Sequence, residues 1–326
     1  MSSLRADDIP GLTLNFTQQP KEKTVAGSAT DHQGSEFSYV LMTAAYNEEA
    51  FIEKTIVSVL AQRLLPLKWV VVSDGSTDKT DAIVQRYASQ HPLISLVRVA
   101  REPGRSFASK VLALHRAEKL FAGLPYDFIG NIDADLGLEP DYFKSLLDEF
   151  RRDPQLGLAS GFVYEFEYGE YRSRSKNNTQ SVPHAAQLVR RECYEAIGGY
   201  AVLKYGGEDW HAQTSVRLKG WRAEAFPSLK IFHQRHTATS GGTIQNIFRQ
   251  GRMDYSFGSY PPFELIKCLT RCFERPLLVG ALARLSGFVW SYLAMDERVV
   301  STEFIAFLRG EQKAKMLSIL NDADFQ

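Results

Sequence analysis

FSYVLMTAAYNEEAFIEKTIVSVLAQRLLPLKWVVVSDGS, residues 37–76, carries the reading of the fold. Phe37–Tyr46 is short, apolar and uninterrupted, as expected of a strand buried on both faces. The run stops at Asn47, a helix-capping residue type, and Ile52, Ile56, Val59 and Leu60 then fall at helical spacing. LKWVVVSDGS starts a second apolar strand and ends in Asp-Gly-Ser turn chemistry. Strand, helix and strand in succession predict a parallel βαβ unit.

The pattern continues outward. Thr77 or Asp78 opens a second helix carrying Ile83, Val84 and Tyr87; ISLVRVA is a third strand and SKVLALHRAEKL a third helix. YDFIGNIDAD (Tyr126–Asp135) is a fourth strand, followed by the helix PDYFKSLLDEF. Four strand–helix units predict an α/β fold: a Rossmann-like, mostly parallel sheet flanked by helices. Beyond residue 150 the pattern is mixed, with GLASGFVYEFEY a strand and Arg172–Gln180 a charged loop. Residues 1–36 are polar and aperiodic and read as a flexible arm. Residues 37–236 form the expected catalytic domain, divided into a nucleotide half (37–136) and an acceptor half (137–236). Residues 237–326 are a helical appendage, entered through Thr237–Gly258, whose Gly, Ser and Thr content suggests a mobile lid.

Composition limits the function. The 326 residues hold 44% hydrophobic and 23% charged residues, enough for a large core, and 38 Lys+Arg balance 38 Asp+Glu. A general nucleic-acid binder would show a basic excess, so none is expected as a partner. Three cysteines, Cys193, Cys268 and Cys272, are too few for a disulfide framework and read as packing thiols of an intracellular protein. The N-terminus MSSLRADDIPGLTLNF shows no apolar signal region. Leu277–Met295 matches the ~20 residues of a bilayer span, yet Arg284 sits near its middle. That stretch is expected to lie on a membrane, with Arg284 snorkelling to headgroups, or to be an ordinary buried helix.

In open α/β sheets ligands bind outside the carboxyl ends of the strands. Ala45-Tyr46-Asn47-Glu48-Glu49, Ser73-Asp74-Gly75-Ser76 and Asp133-Ala134-Asp135 all end strands, so three polar, acidic clusters should meet on one edge. Two carboxylates at a strand end suit Mg²⁺ or Mn²⁺, which bind through one or two carboxylates plus substrate phosphates. Asp74 is a turn aspartate or an acceptor for a nucleobase N–H. Glu208-Asp209, after a glycine pair, either complements a helix dipole or supplies a general base. Arg105, Lys110 and Arg235 are the cations nearest these clusters in sequence. P-loop, G-x-G-x-x-G, G-x-S-x-G and H-E-x-x-H patterns are missing, which removes the commonest NTPase, dinucleotide-binding and hydrolase signatures.

In order and spacing, these motifs resemble family-2 glycosyltransferases, inverting GT-A enzymes that use nucleotide-diphosphate sugars, from about Tyr39 to about His236. The resemblance implies that Ala45, Tyr46, Glu48, Asp74, Lys110, Asp133 and Ala134 bind the nucleotide sugar. It also implies that Asp135, with His233, holds a divalent cation, Mn²⁺ or Mg²⁺, and that Asp209 beside Glu208 is the catalytic base. The donor would be UDP- or GDP-linked and the acceptor a saccharide, free or on a polyprenyl lipid, at the cytoplasmic face of the inner membrane. Processive synthases of the family carry Q-x-x-R-W; Arg249-Gln250-Gly251-Arg252 lacks the Trp, which implies non-processive transfer in exopolysaccharide or lipid-linked glycan synthesis. The alternatives are a sugar-1-phosphate nucleotidyltransferase and an inactive membrane-associated scaffold.

Overall fold

The computed structural model describes residues 37–100, 108–167, 169–175, 177–235, 243–272 and 277–323. The expected arm, Arg105 and the start of the expected lid lie outside these residues.

Strands β1 (Tyr39–Ala45), β2 (Lys68–Asp74) and β3 (Ile94–Val99) alternate with helices α1 (Ile52–Leu60) and α2 (Thr80–Gln90). Helix α3 (Ala108–Glu118) leads to β4 (Phe128–Ile132), a short β5 (Leu136–Leu138) and α4 (Tyr142–Arg152). Then come β6 (Leu156–Glu167), β7 (Glu170–Ser173), β8 (Ala186–Arg190), α5 (Arg191–Ala196), α6 (Glu208–Leu218) and β9 (Arg222–His233). The strands form one sheet in the order β3-β2-β1-β4-β8-β6-β9-β5, with β7 paired to β6. The first four expected strands pair in parallel, while β8 runs antiparallel to β4 and to β6. Arg172 and Ser173, the start of the stretch expected as a charged loop, instead belong to β7, which pairs with β6.

Alternation along β1 builds a core on each face. Tyr39 and Leu41 point with Trp69 and Val71 toward Ile52, Ile56, Phe143 and Leu146; Val40 and Met42 point with Val70 and Val72 toward Val111, Leu114, Ala212 and Val216. Each such aliphatic side chain contributes about 1.5–3 kcal/mol by leaving water. Trp69, fully buried, donates its indole N–H to Thr43 Oγ1 at 2.9 Å, so its polar atom is satisfied as well.

Four further helices follow: α7 (Thr243–Ser256), α8 (Pro261–Thr270), α9 (Val279–Leu293) and α10 (Thr302–Ala323). Most of the expected lid is therefore the regular helix α7. The helices α7 and α9 cross at two glycines: a Cβ on Gly251 would lie 1.9 Å from the Arg284 carbonyl oxygen, and one on Gly287 2.0 Å from that of Phe248. The expectation for Arg284 is corrected here. It does not reach outward: its side chain is buried, donating to Asp254 Oδ2 (2.5 Å), Glu264 Oε1 (3.0 Å) and Gln250 Oε1 (2.7 Å). Lys267 closes the cluster at 2.9 Å from Asp254 and 3.3 Å from Glu264. Two acids and two cations leave it neutral, which is how charge survives burial. Snorkelling fails because Arg284 shares a helix face with Ala281, Phe288 and Ser291, the face turned inward. The other face of α9 is exposed and apolar, with Leu282, Trp290 and Leu293 at 62%, 61% and 73% exposure. Among the described residues no helix is long and apolar enough to cross a membrane.

Candidate functional site

The carboxyl ends of β2, β1 and β4 lie side by side, and their loops are tied to one another. Asn47 adopts φ 53°, a left-handed conformation that Asn tolerates better than most residues. From there its side-chain oxygen accepts the Thr77 N–H at 2.8 Å, while its own N–H donates to Ser76 Oγ at 3.2 Å. The Glu48 N–H donates to Thr80 Oγ1 at 2.7 Å, and the Glu49 N–H to Asp78 Oδ2 at 3.0 Å. Asn47 thus cross-links two loops rather than capping α1, which starts five residues later at Ile52. Ala45 (buried), Tyr46 (exposed) and the half-buried Asp74 lie at the adjoining ends of the paired strands β1 and β2.

Asp133, Ala134 and Asp135 form the turn between β4 and β5. As residues two apart, the two aspartates would share one face of a continued strand, and here the chain turns between β4 and β5 at just these positions. Thr55 Oγ1 from α1 donates to the carbonyls of Ala134 and Leu136, both at 2.9 Å, and accepts the Leu136 N–H at 3.0 Å. The Asp133 N–H is held by Ala185 O at 2.8 Å, and Asp135 O accepts from the Gln234 N–H at 2.9 Å. Sequence reasoning missed Thr55 and Gln234 and took Asn47 for a helix cap. Thr55 sits in an ordinary helical stretch and gives no signal; a left-handed Asn before acidic residues is a weak one.

Charge concentrates at this turn. Lys110 Nζ lies 2.6 Å from Asp133 Oδ1. Burial disfavours the Lys110 charge, but Asp133, and then Glu208 and Asp209, more than compensate and raise its pKa. Burial raises the Asp133 carboxyl; Lys110 opposes this and Asp135 adds to it. On the other side, Arg235 pairs with Glu48 and lies 3.5 Å from Asp135 Oδ2, while His233 Nε2 is 3.6 Å from Asp135 Oδ1. Burial pushes Glu48 up to about 7, with Arg235 pulling down and Asp135 and Asp133 pushing further up. Arg235, one of three cations considered from the sequence, is the one set between Glu48 and Asp135.

Glu208 and Asp209 open α6 after two glycines with positive φ, Gly206 at 79° and Gly207 at 89°. Burial raises the Asp209 carboxyl, as does its neighbour Glu208, while Lys110 opposes them. All eleven candidate residues thus lie on the strand-end loops, on α3 where it faces them, at the α6 N-terminus or at the end of β9. For a divalent cation the fit is partial. Among the described residues no three His, Cys, Asp or Glu side chains gather as a metal cage. Asp135 and His233 are nevertheless adjacent without a close hydrogen bond, and Mg²⁺ or Mn²⁺ commonly takes its remaining ligands from water and substrate phosphates.

Comparison with known proteins gives the same picture. The profile described as Glycosyl transferase family 2 matches residues 40–206. Chondroitin synthase of Escherichia coli is 36% identical over 112 residues, 34% of this chain and 15% of that protein. Poly-beta-1,6-N-acetyl-D-glucosamine synthase of Staphylococcus aureus (strain COL) is 28% identical over 120 residues, 37% of this chain and 27% of that protein. The matches therefore span well under half the length of these relatives. Among solved structures, the mannosyltransferase PcManGT from Pyrobaculum calidifontis, in complex with GDP-Man and Mn²⁺, superposes with a TM-score of 0.53 at 18% identity, covering 86% of this chain and 81% of that one. GalNAc-T7 with UDP, GalNAc and Mn²⁺ gives 0.52 at 12% identity, covering 79% and 54%. These two support the GT-A fold expected from the sequence.

Proposed function

Because the chain belongs to glycosyl transferase family 2, we propose that it moves a sugar from a nucleoside-diphosphate donor to an acceptor hydroxyl with inversion at the anomeric carbon. One observation carries the reading. Lys110 bonds Asp133 and is close enough to Glu208 and Asp209 for their charges to raise its pKa. The acids assigned to the donor and the acid assigned to the acceptor therefore lie within the field of one cation, which supports a shared site.

In this reading Ala45, Tyr46, Glu48 and Asp74 hold the base side of the nucleotide, and Asp133 and Ala134 the ribose and diphosphate. Asp135 and His233 would hold a divalent cation, which supplies Lewis-acid stabilisation of the departing diphosphate. The Mn²⁺ in both solved neighbours supports that ion. Asp209 takes the proton of the acceptor hydroxyl. Its raised pKa makes it a stronger base than an ordinary carboxylate, and Lys110 keeps the rise in check. Attack on the face opposite the diphosphate inverts the anomeric centre.

The pathway we assign is exopolysaccharide or lipid-linked oligosaccharide synthesis, with non-processive transfer. The exposed apolar face of α9 supports peripheral contact with the cytoplasmic face of the inner membrane, which would confine enzyme and polyprenyl-linked acceptor to one plane. The test is a donor screen reading nucleoside-diphosphate release, with membrane lipids as acceptors, and flotation with anionic liposomes. Release of the diphosphate with an inverted product is expected. No diphosphate release from nucleotide sugars, together with pyrophosphate release from a nucleoside triphosphate and a sugar 1-phosphate, would move the chain to the nucleotidyltransferases, and failure to float would remove the membrane contact.

A further inference from the structure

Helix α6 begins on a glycine turn with no side-chain cap. Gly206 and Gly207 have both left the region favoured by other residues, glycine is free to move between many backbone states, and no side chain caps the helix start. The position of Glu208 and Asp209 must be set from outside, and the element that does so is α7. Arg249 Nη1 donates to the Tyr205 carbonyl oxygen, at the base of the turn. One turn along, Met253 closes on Gly207, where an added Cβ would lie 2.6 Å from Sδ. Just past α7, Phe257 packs against Trp210 with the rings tilted by 53° and their centroids 4.8 Å apart. Arg252, on the adjoining face, lies over the Tyr205 ring at 4.7 Å.

We propose that Arg249 is a positioning residue for the transfer reaction: its guanidinium pins the Tyr205–Gly207 turn, so that Asp209 is presented at a fixed place. The proposal rests on the transfer reading given above. Arg249 is assigned no contact with sugar or nucleotide; it acts through the turn. Glu208 lies within the range of its charge, which works against the downward pull of burial on the Arg249 pKa. A general base displaced by about 1 Å loses on the order of 10²-fold in rate, because the near-attack geometry is lost.

The experiment compares Arg249→Ala and Arg249→Lys with the parent in three measurements: hydrogen exchange of the peptide spanning residues 203–211, nucleoside-diphosphate affinity by calorimetry, and kcat for transfer. In the alanine variant the 203–211 amides should exchange faster and kcat should fall roughly 10–10²-fold. Nucleotide affinity should stay unchanged, and the lysine variant, which keeps the charge and a donor, should recover much of the rate. Unchanged exchange in 203–211 overturns the anchor whatever the protein catalyses. Nucleotide affinity falling in step with kcat overturns the positioning role and makes Arg249 a donor contact. If the parent transfers no sugar, the transfer reading fails, while the exchange measurement still decides whether Arg249 holds the turn.

Discussion

Replacing Arg284 by methionine deletes one charge from a buried cluster of four and leaves its volume nearly filled. Asp254 and Glu264 are 1% and 0% exposed, and after the substitution Lys267 alone faces both. Removing one partner of a buried ion pair costs about 3–5 kcal/mol, because the charge left behind is neither solvated nor compensated. The two lost carboxylate hydrogen bonds, at about 1.5–3 kcal/mol each, give a similar range of about 3–6 kcal/mol. At about 2–4 °C per kcal/mol for a domain of this order of size, the melting temperature should drop by on the order of 10 °C. The loss should also depend on pH. Burial, and then Asp254, already raise the Glu264 carboxyl, and removing Arg284 raises it further. A carboxyl whose folded pKa is raised binds a proton more tightly folded than unfolded, so stability falls as pH rises from its unfolded to its folded value. The deficit of the variant should therefore widen between pH 5 and pH 8. Thermal unfolding followed by circular dichroism at both pH values measures it. A variant melting within about 2 °C of the parent at pH 8 refutes the buried cluster and restores an Arg284 that reaches toward headgroups.

Asp209→Asn should lower transfer by roughly 10²–10⁴-fold with nucleotide affinity nearly unchanged, since the base acts on the acceptor alone; near-normal turnover would shift the assignment to Glu208. Asp135→Ala should weaken nucleotide-sugar binding and metal dependence together, and a parent enzyme indifferent to excess EDTA would exclude the ion from the mechanism. Gly251→Ala should destabilise by about 1–3 kcal/mol, because its methyl would meet the Arg284 carbonyl and force α7 and α9 apart; a urea midpoint equal to the parent's would show that the crossing yields freely.

The sequence by itself determined the parallel half of the sheet and the three strand-end clusters. Apolar runs such as Val70–Val72, set between helical stretches, fit strands covered on both faces as in a parallel sheet, and strand ends place polar residues on one edge of it. It also determined that acids would dominate the site, since their chemistry is local to each motif. The tertiary structure decided what joins the motifs. That Lys110 reaches Asp133, that Arg235 bridges Glu48 and Asp135, and that Thr55 grips the turn between β4 and β5 are contacts between residues more than 20 positions apart, to which periodicity is blind. Arg284 makes the same point in reverse. Helical spacing put it among apolar neighbours, as membrane helices and buried helices both allow, and only the arrival of Asp254 from α7 and Glu264 from α8 turned it inward. A charge is placed by the partners that neutralise it, and those partners come together only when the chain folds.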